Sequence, residues 1–360
     1  VFITLEDAEI KTLFDRDLKA FVKLYIRPYK YIFIDEFQYA RDGGQSLKFI
    51  YDTVGDKKIF ISGSSILELS IKTVKYLAGR IFSFTLFPLT FKEYLSYKDT
   101  GLYDYYKLIE KGKKTDDVLV KRFNDLLEEF IVYGGYPRVV TSSDNEERQE
   151  VLRNILNIYL LKDVRDILGL TDDYRMFSLI KALALQIGNV ISYQELSALT
   201  QQHLSTLKKY LNLLEKTFII HLLKPYFTNK RIELVKNPKV YFYDTGLRNA
   251  VAGDFKELNS RQDRGVLYEN FIFTELLKKG FSLKYWRTKS KAEVDFVVND
   301  KIPVEVKTVL SRLTIGRSLH SFIEKYHPEN AYIFNKGIFE KTRVNKTVVK
   351  FLYHFSVTVS

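Results

Sequence analysis

Residues Tyr31-Ile32-Phe33-Ile34-Asp35-Glu36 constrain this chain more than any other stretch, because four apolar strand-formers run straight into two adjacent carboxylates. An unbroken run of bulky β-formers fits a strand covered on both faces, as in a parallel sheet. Open α/β sheets bind ligands beyond the carboxyl ends of their strands, which is where Asp35 and Glu36 would fall. There the first can hold Mg²⁺, usually through water, and the second can polarise a water aimed at a phosphate. A strand ending in a solvated Asp-Glu turn has the same spelling.

At 360 residues the chain has room for two or three domains with real cores. No apolar run approaches the roughly 18 to 20 residues of a membrane span, so a soluble protein with no membrane partner is expected. The absence of cysteine excludes disulfides, thiol catalysis and thiolate-held metals. It is compatible with a reducing cytoplasm, the expected location. A formal net charge of +12 favours a polyanionic partner, with nucleic acid leading, since clustered Lys and Arg gain affinity by releasing counterions from phosphates. A Lys-rich surface kept for solubility gives the same balance.

The chain begins at Val1, and Val1 to Leu5 already reads as a strand followed by Glu6-Asp7. No G-x-x-x-x-G-K-[ST] phosphate loop occurs; Lys111-Gly112-Lys113-Lys114-Thr115 lacks its first glycine and its strand-to-helix setting. The natural start is expected upstream of Val1, and either the loop lies there or the protein never had one.

Strands alternate with helix-compatible stretches up to about Leu95, at Val1 to Leu5, Tyr31 to Ile34, Ile59 to Ile61 and Ile81 to Phe87, which argues for an α/β layer over residues 1–95. Helical spacing from Phe91 to Tyr133 stops at the breakers Gly134-Gly135-Tyr136-Pro137, making residues 96–150 a helical lid and linker. An amphipathic helix is expected around Val151 to Leu168. Residues 151–250 then end in helix-turn-helix logic: Ser192 and Glu195 form a capping box for Tyr193 to Leu199, and a second helix carries Leu204, Leu207, Leu211 and Leu214 on one face. Strand-like Phe218 to Leu223 would be the wing, and Lys208, Lys209 and Asn212 face away from the leucines, where the two lysines could touch DNA phosphates. Many such modules are only spacers.

A last α/β domain, residues 260–360, opens with a helix carrying Leu267, Phe271, Leu276 and Leu277 and stopped by Gly280. Strands follow at Leu283 to Trp286, Glu293 to Val298, Ile302 to Lys307 and Ala331 to Phe334. A hairpin closed by Asn299-Asp300-Lys301 sets Val298 against Ile302, Phe296 against Val304 and Val294 against Val306, an apolar face. The other face then has Asp295 opposite Glu305 and Glu293 opposite Lys307. Facing carboxylates repel unless something positive sits between them, and a divalent metal would serve. Asp295 and Glu305 are the candidate ligands, Lys307 would steady a developing charge, and Glu269 on the preceding helix is a further candidate ligand. An exposed face balanced by Lys307 and Arg287 is the alternative, and Pro303 suggests an edge or irregular pairing.

Taken in order, Tyr31 to Glu36, Ile59-Phe60-Ile61-Ser62-Gly63-Ser64-Ser65, Leu77-Ala78-Gly79-Arg80 and Pro88-Leu89-Thr90-Phe91-Lys92-Glu93-Tyr94 resemble the AAA-type ATPases abundant in archaea and bacteria. Tyr133-Gly134-Gly135-Tyr136-Pro137, Tyr243-Asp244-Thr245-Gly246-Leu247-Arg248, Tyr268-Glu269-Asn270, Glu293 to Phe296 and Pro303 to Lys307 resemble the C-terminal part of such proteins, a domain of unassigned function. The resemblance implies ATP and Mg²⁺ at Asp35 and Glu36, Ser64 as a polar sensor and Arg80 as a phosphate-sensing arginine. It also implies a winged helix and a restriction-endonuclease-like PD-(D/E)xK fold with its site at Asp295, Glu305 and Lys307, where Mn²⁺ is an alternative metal. The expected protein is a multi-domain α/β ATPase coupled to duplex DNA, with a homo-oligomer among the assemblies considered. Its rival is a nucleotide-sensing scaffold with an uncutting nuclease fold, which a site filled by Lys307 or Arg side chains would favour.

Overall fold

Three short parallel strands, β1 (Phe2–Thr4), β2 (Tyr31–Asp35) and β3 (Lys58–Ile61), form a sheet with β2 in the middle. Helices α1 (Ala8–Arg16), α2 (Leu18–Phe21) and α3 (Gly43–Thr53) connect them. Asp7 and Asp17 start α1 and α2 by accepting the backbone N–H groups of the first turn, which have no partner inside the helix. In the computed structural model, which describes residues 1–63, 77, 79–157 and 174–359, these elements belong to the unit Val1–Leu86, separate from Phe87–Ser360. The sheet is covered on one face and not on both. Ile32 and Ile34 are wholly buried with Ile3, Phe14, Phe21, Phe37 and Ile50, whereas Tyr31 and Phe33 are exposed, Phe33 stacking on Phe60 at 4.7 Å. The expected strand at Ile81 to Phe87 is absent: residues 81–87 are irregular, with Phe82, Phe84 and Leu86 exposed. Alternating aromatics give strand propensity, but a strand needs a ladder partner to hold its backbone.

The second unit opens with α4 (Phe91–Lys98), whose Thr90 and Glu93 form a reciprocal capping box. Helices α5 (Thr100–Glu110), α6 (Asp117–Tyr133), α7 (Pro137–Val140), α8 (Asn145–Ile155) and α9 (Tyr174–Leu185) follow. The helix expected from Val151 begins earlier because Asp144 caps it, its carboxylate accepting the Glu147 N–H at 2.9 Å; its expected far end lies outside the described residues. Helices α10 (Tyr193–Thr200) and α11 (Leu204–Lys216) meet at the left-handed Gln201. Leu207, Leu211 and Leu214 of α11 are buried, Leu204 is half exposed, and Lys208, Lys209 and Asn212 are exposed. Strand β4 (Ile220–Leu223) pairs antiparallel with β5 (Lys239–Phe242), across the short α12 (Lys230–Val235). Helix α13 (Thr245–Ala252) leads to α14 (Arg264–Lys278).

The remaining strands, β6 (Leu283–Arg287), β7 (Glu293–Val298), β8 (Ile302–Val306), β9 (Asn330–Asn335), β10 (Glu340–Val344) and β11 (Thr347–Tyr353), make one sheet in the order β10-β11-β9-β8-β7-β6. Pairs β8–β9 and β9–β11 are parallel, the others antiparallel. Helix α15 (Arg317–Tyr326) packs Leu319, Phe322 and Ile323 against Val294, Val297 and Ile333. The β7–β8 turn has the expected register, Val298 with Ile302 and Phe296 with Val304, because Asn299 and Asp300 accept the left-handed φ values of 50° and 60° that the turn requires. Pro303 sits in an inner strand, not at an edge. β9 pairs with β8 only from Val304 onward, so the missing proline N–H costs no bond in that ladder.

The expected alternation along β7 breaks. Three steps on β7, Val297 to Val294, match two on β6, Lys284 to Trp286, which is a bulge at Asp295 and Phe296. Val294 therefore joins Val297 on the α15 side, while Phe296 packs near Phe273 of α14 and Tyr241 of β5. The apolar face expected from Val294, Phe296 and Val298 is divided between two layers.

Candidate functional site

Among the described residues two groups of side chains bear on the expected chemistry, one in each unit. In the first unit, Asp35 ends the central strand, and Ser62, just beyond β3, donates its hydroxyl to Asp35 Oδ1 at 2.6 Å. Carboxylate and hydroxyl oxygens at adjoining strand ends are the donor type that a hard cation takes. Glu36 follows at a left-handed φ of 52° and accepts a hydrogen bond from the Gln38 side chain. Arg80 pairs with Asp52 of α3 at 2.7 Å and lies over the Tyr51 ring. Ser64 lies outside the described residues. The oxygens at Asp35 and Ser62 thus suit Mg²⁺, whereas residues 1–86 contain no glycine-rich loop to cradle phosphates.

In the second unit, charged residues gather between β5, α14 and the β7–β8 hairpin. Lys239 opens β5 and is 1 % exposed; its Nζ lies 3.2 Å from Glu269 Oε1 and 2.6 Å from Glu293 Oε1. Tyr241, two residues on and hence on the same strand face, donates its hydroxyl to Glu269. Asp295 Oδ2 accepts the Val306 N–H at 2.8 Å. Glu305 is buried and pairs with Lys307 Nζ at 3.2 Å. The β7–β8 ladder stops at Phe296, so the expected pairing of Glu293 with Lys307 is replaced: Glu293 pairs with Lys239 and, at 3.4 Å, with Arg287.

Burial, reinforced by the Glu269 charge, pushes the Asp295 carboxyl up to about 8 against the opposing pull of Lys239. Burial works against the Lys239 and Lys307 ammonium groups, but the carboxylates outweigh it and raise both above the ordinary lysine range; for Lys307 those are Glu305, Asp295 and Glu269. Asp295, Glu305, Lys307 and Glu269 are thus electrostatic neighbours.

This arrangement does not fit a metal. Among the described residues no group of three or more metal-ligating side chains has the spacing to hold an ion, and two of the carboxylates expected as ligands, Glu269 and Glu305, already face ammonium groups. At Glu269 that cation is Lys239, on a strand outside the six-stranded sheet, and at Glu305 it is Lys307. Sequence reading passed over Lys239 and Tyr241. The available signal was a lysine starting the apolar run Lys239-Val240-Tyr241-Phe242, where a strand this buried tolerates a charge only if it is paired.

Among the described residues no helix is long and apolar enough to cross a membrane. Residues 1–95 match the family model of an AAA domain, residues 124–258 a domain of unknown function (DUF8612) and residues 264–353 a domain of unknown function (DUF4143). An uncharacterized protein of Haemophilus influenzae is 29 % identical over 276 residues, covering 74 % of this chain and 62 % of that protein. One from Methanocaldococcus jannaschii is 26 % identical over 309 residues, covering 83 % and 65 %. One from Mycobacterium tuberculosis is 28 % identical over 169 residues, covering 46 % and 38 %. The chain spans 62 % and 65 % of the length of the first two relatives. Residues 1–95 are thus similar to an AAA domain, a domain type of nucleotide-binding, ATPase-like character, and residues 264–353 to the domain DUF4143.

Proposed function

We propose that this protein is a nucleotide-dependent ATPase-like protein that engages duplex DNA. The observation carrying the nucleotide reading is the Ser62–Asp35 hydrogen bond at the carboxyl ends of two parallel strands, with Glu36 next in sequence. Asp35 would hold Mg²⁺, which neutralises phosphate charge when bound; Glu36 would orient and polarise the attacking water. Arg80 would sense phosphate by leaving Asp52, an exposed ion pair that is cheap to break. In this reading α10, α11 and the β4–β5 pair act as a helix-turn-helix with its wing, presenting the exposed Lys208 and Lys209 to phosphates. The net charge of +12 supports that assignment.

The test places a strand, phosphate loop and helix ahead of Val1 and follows ATP turnover. Glu36→Gln is expected to keep nucleotide bound and slow hydrolysis by about 100-fold or more. Unchanged turnover removes Glu36 from the mechanism.

For the last domain, the lysine-filled carboxylate cluster favours the second reading, a nuclease-like sheet that serves as a scaffold and does not cut. Nicking of plasmid DNA with Mn²⁺ that disappears in Lys307→Ala would overturn it.

A further inference from the structure

Lys239 is placed where a polar chain would ordinarily not go. Its ammonium is buried among Glu269 of α14 and Glu293 of β7, near the carboxyl of Asp295, and it lies 5.7 Å from the centre of the Tyr285 ring. Taking an ammonium and carboxylates out of water costs several kcal/mol for each ion unless they meet with good geometry and their remaining sites are hydrogen-bonded. Here they do: Glu269 also receives the Tyr241 hydroxyl, and Glu293 also faces Arg287. The lysine comes from the β4–β5 pair, while the acids belong to α14 and the six-stranded sheet.

We propose that Lys239 is the resident cation of this carboxylate cluster, occupying the place that a divalent metal would need and clamping β5 to the last domain. The inference does not depend on the nucleotide reading. An acidic cluster between a helix and a hairpin has two ways of becoming neutral, an ion from solution or a side chain from the fold. Here the chain supplies the side chain. Its ammonium contacts the carboxylate oxygens of Glu269 and Glu293 directly, and a cation bridging that pair would have to displace it.

The experiment titrates the intact chain with Mn²⁺, reading free ion by electron paramagnetic resonance and folding by thermal unfolding. The same titration is run on Lys239→Ala, on Glu269→Gln and on the double variant. The wild-type chain should bind no Mn²⁺ that Glu269→Gln abolishes. Lys239→Ala should unfold at lower temperature in EDTA, take up one Mn²⁺ more than the wild type and regain part of its lost unfolding temperature, with the double variant losing both effects. A wild-type Mn²⁺ site that vanishes in Glu269→Gln overturns the proposal, as does a Lys239→Ala chain that folds and takes up no Mn²⁺ beyond the wild type. Should Lys239→Ala not fold, Glu293→Gln decides. It leaves the ammonium with fewer partners and should lower the unfolding temperature; an unchanged value overturns the clamp.

Discussion

The carboxylate of Asp244 accepts the backbone N–H of Gly135 at 2.8 Å across 109 positions of sequence. The same carboxylate caps α13 through the Leu247 N–H at 2.9 Å, so one side chain joins the glycine stop of α6 to the start of another helix. Asn249 completes the joint by donating to the carbonyls of Ile131 and Val132 in the last turn of α6. Two of the motifs that mark this chain therefore form a single structural joint, and their glycines have a packing reason.

At Gly246 an added Cβ would overlap the Tyr133 carbonyl and crowd Gly134, both backbone. Gly246→Ala should therefore lower stability by at least about 3 kcal/mol, near the upper end of overpacking costs. Gly253, at a φ of 71° with open space around it, carries only the left-handed penalty, and Gly253→Ala should cost about 1 to 2 kcal/mol. Chemical denaturation of both variants checks the order; equal losses would remove the collision as the cause.

Asp263 holds two buried arginines, Arg248 at 2.6 Å and Arg261 at 2.8 Å. Asp263→Ala takes from Arg248 its partner at 2.6 Å and leaves Arg261 with Asp254 at 3.8 Å, and should cost about 3 kcal/mol. Burial opposes ionisation of this carboxyl, but the hydrogen bond from Arg261 and the charge of Arg248 outweigh it and hold it at about 2, below the ordinary 3.8. Its folded value is depressed, so its contribution is complete above pH 3.8 and is lost as pH falls through about 2. Acid unfolding monitored by circular dichroism should show that loss in the wild type and a shallower dependence in Asp263→Asn.

Asp295 behaves in the opposite sense. Its carboxyl is raised from 3.8 to about 8, so the folded state keeps a proton that the unfolded chain releases. The associated stability is complete below pH 3.8 and declines as pH rises toward about 8. Asp295→Asn removes this titration and should flatten the decline. Denaturation midpoints taken across that range test it, and an identical slope in both chains refutes the assignment.

If Lys208 and Lys209 contact phosphates, replacing both by alanine should weaken duplex DNA binding on every sequence and reduce the salt slope by about 1.8, near 0.9 per lost phosphate contact. Fluorescence anisotropy over a salt series measures this. An affinity indifferent to salt and to both lysines makes α11 a structural spacer.

Local chemistry was legible in the residues themselves. The Tyr31 to Ile34 strand, the Ser192 cap, the stop at Gly134 and the turn at Asn299-Asp300 follow from propensity, capping and φ preference, which act over a few residues. The register of the β7–β8 turn was legible for the same reason, since turn geometry and hydrophobic pattern agree there. What surrounds those elements is a matter of distance in space. Tyr31 and Phe33 are exposed because the helices of the first unit cover one face of its sheet, which a run of β-formers cannot reveal. The bulge at Asp295 and Phe296 moves Val294 to the other layer because packing on both sides of the sheet outweighs strict alternation. Asp295, Glu305 and Lys307 could be picked out as a group from their spacing, with Glu269 on the helix added only as a candidate. That a lysine at position 239 would neutralise Glu269 and Glu293 could not, because Coulomb energy depends on separation through space and the chain brings Lys239 to those acids only by folding.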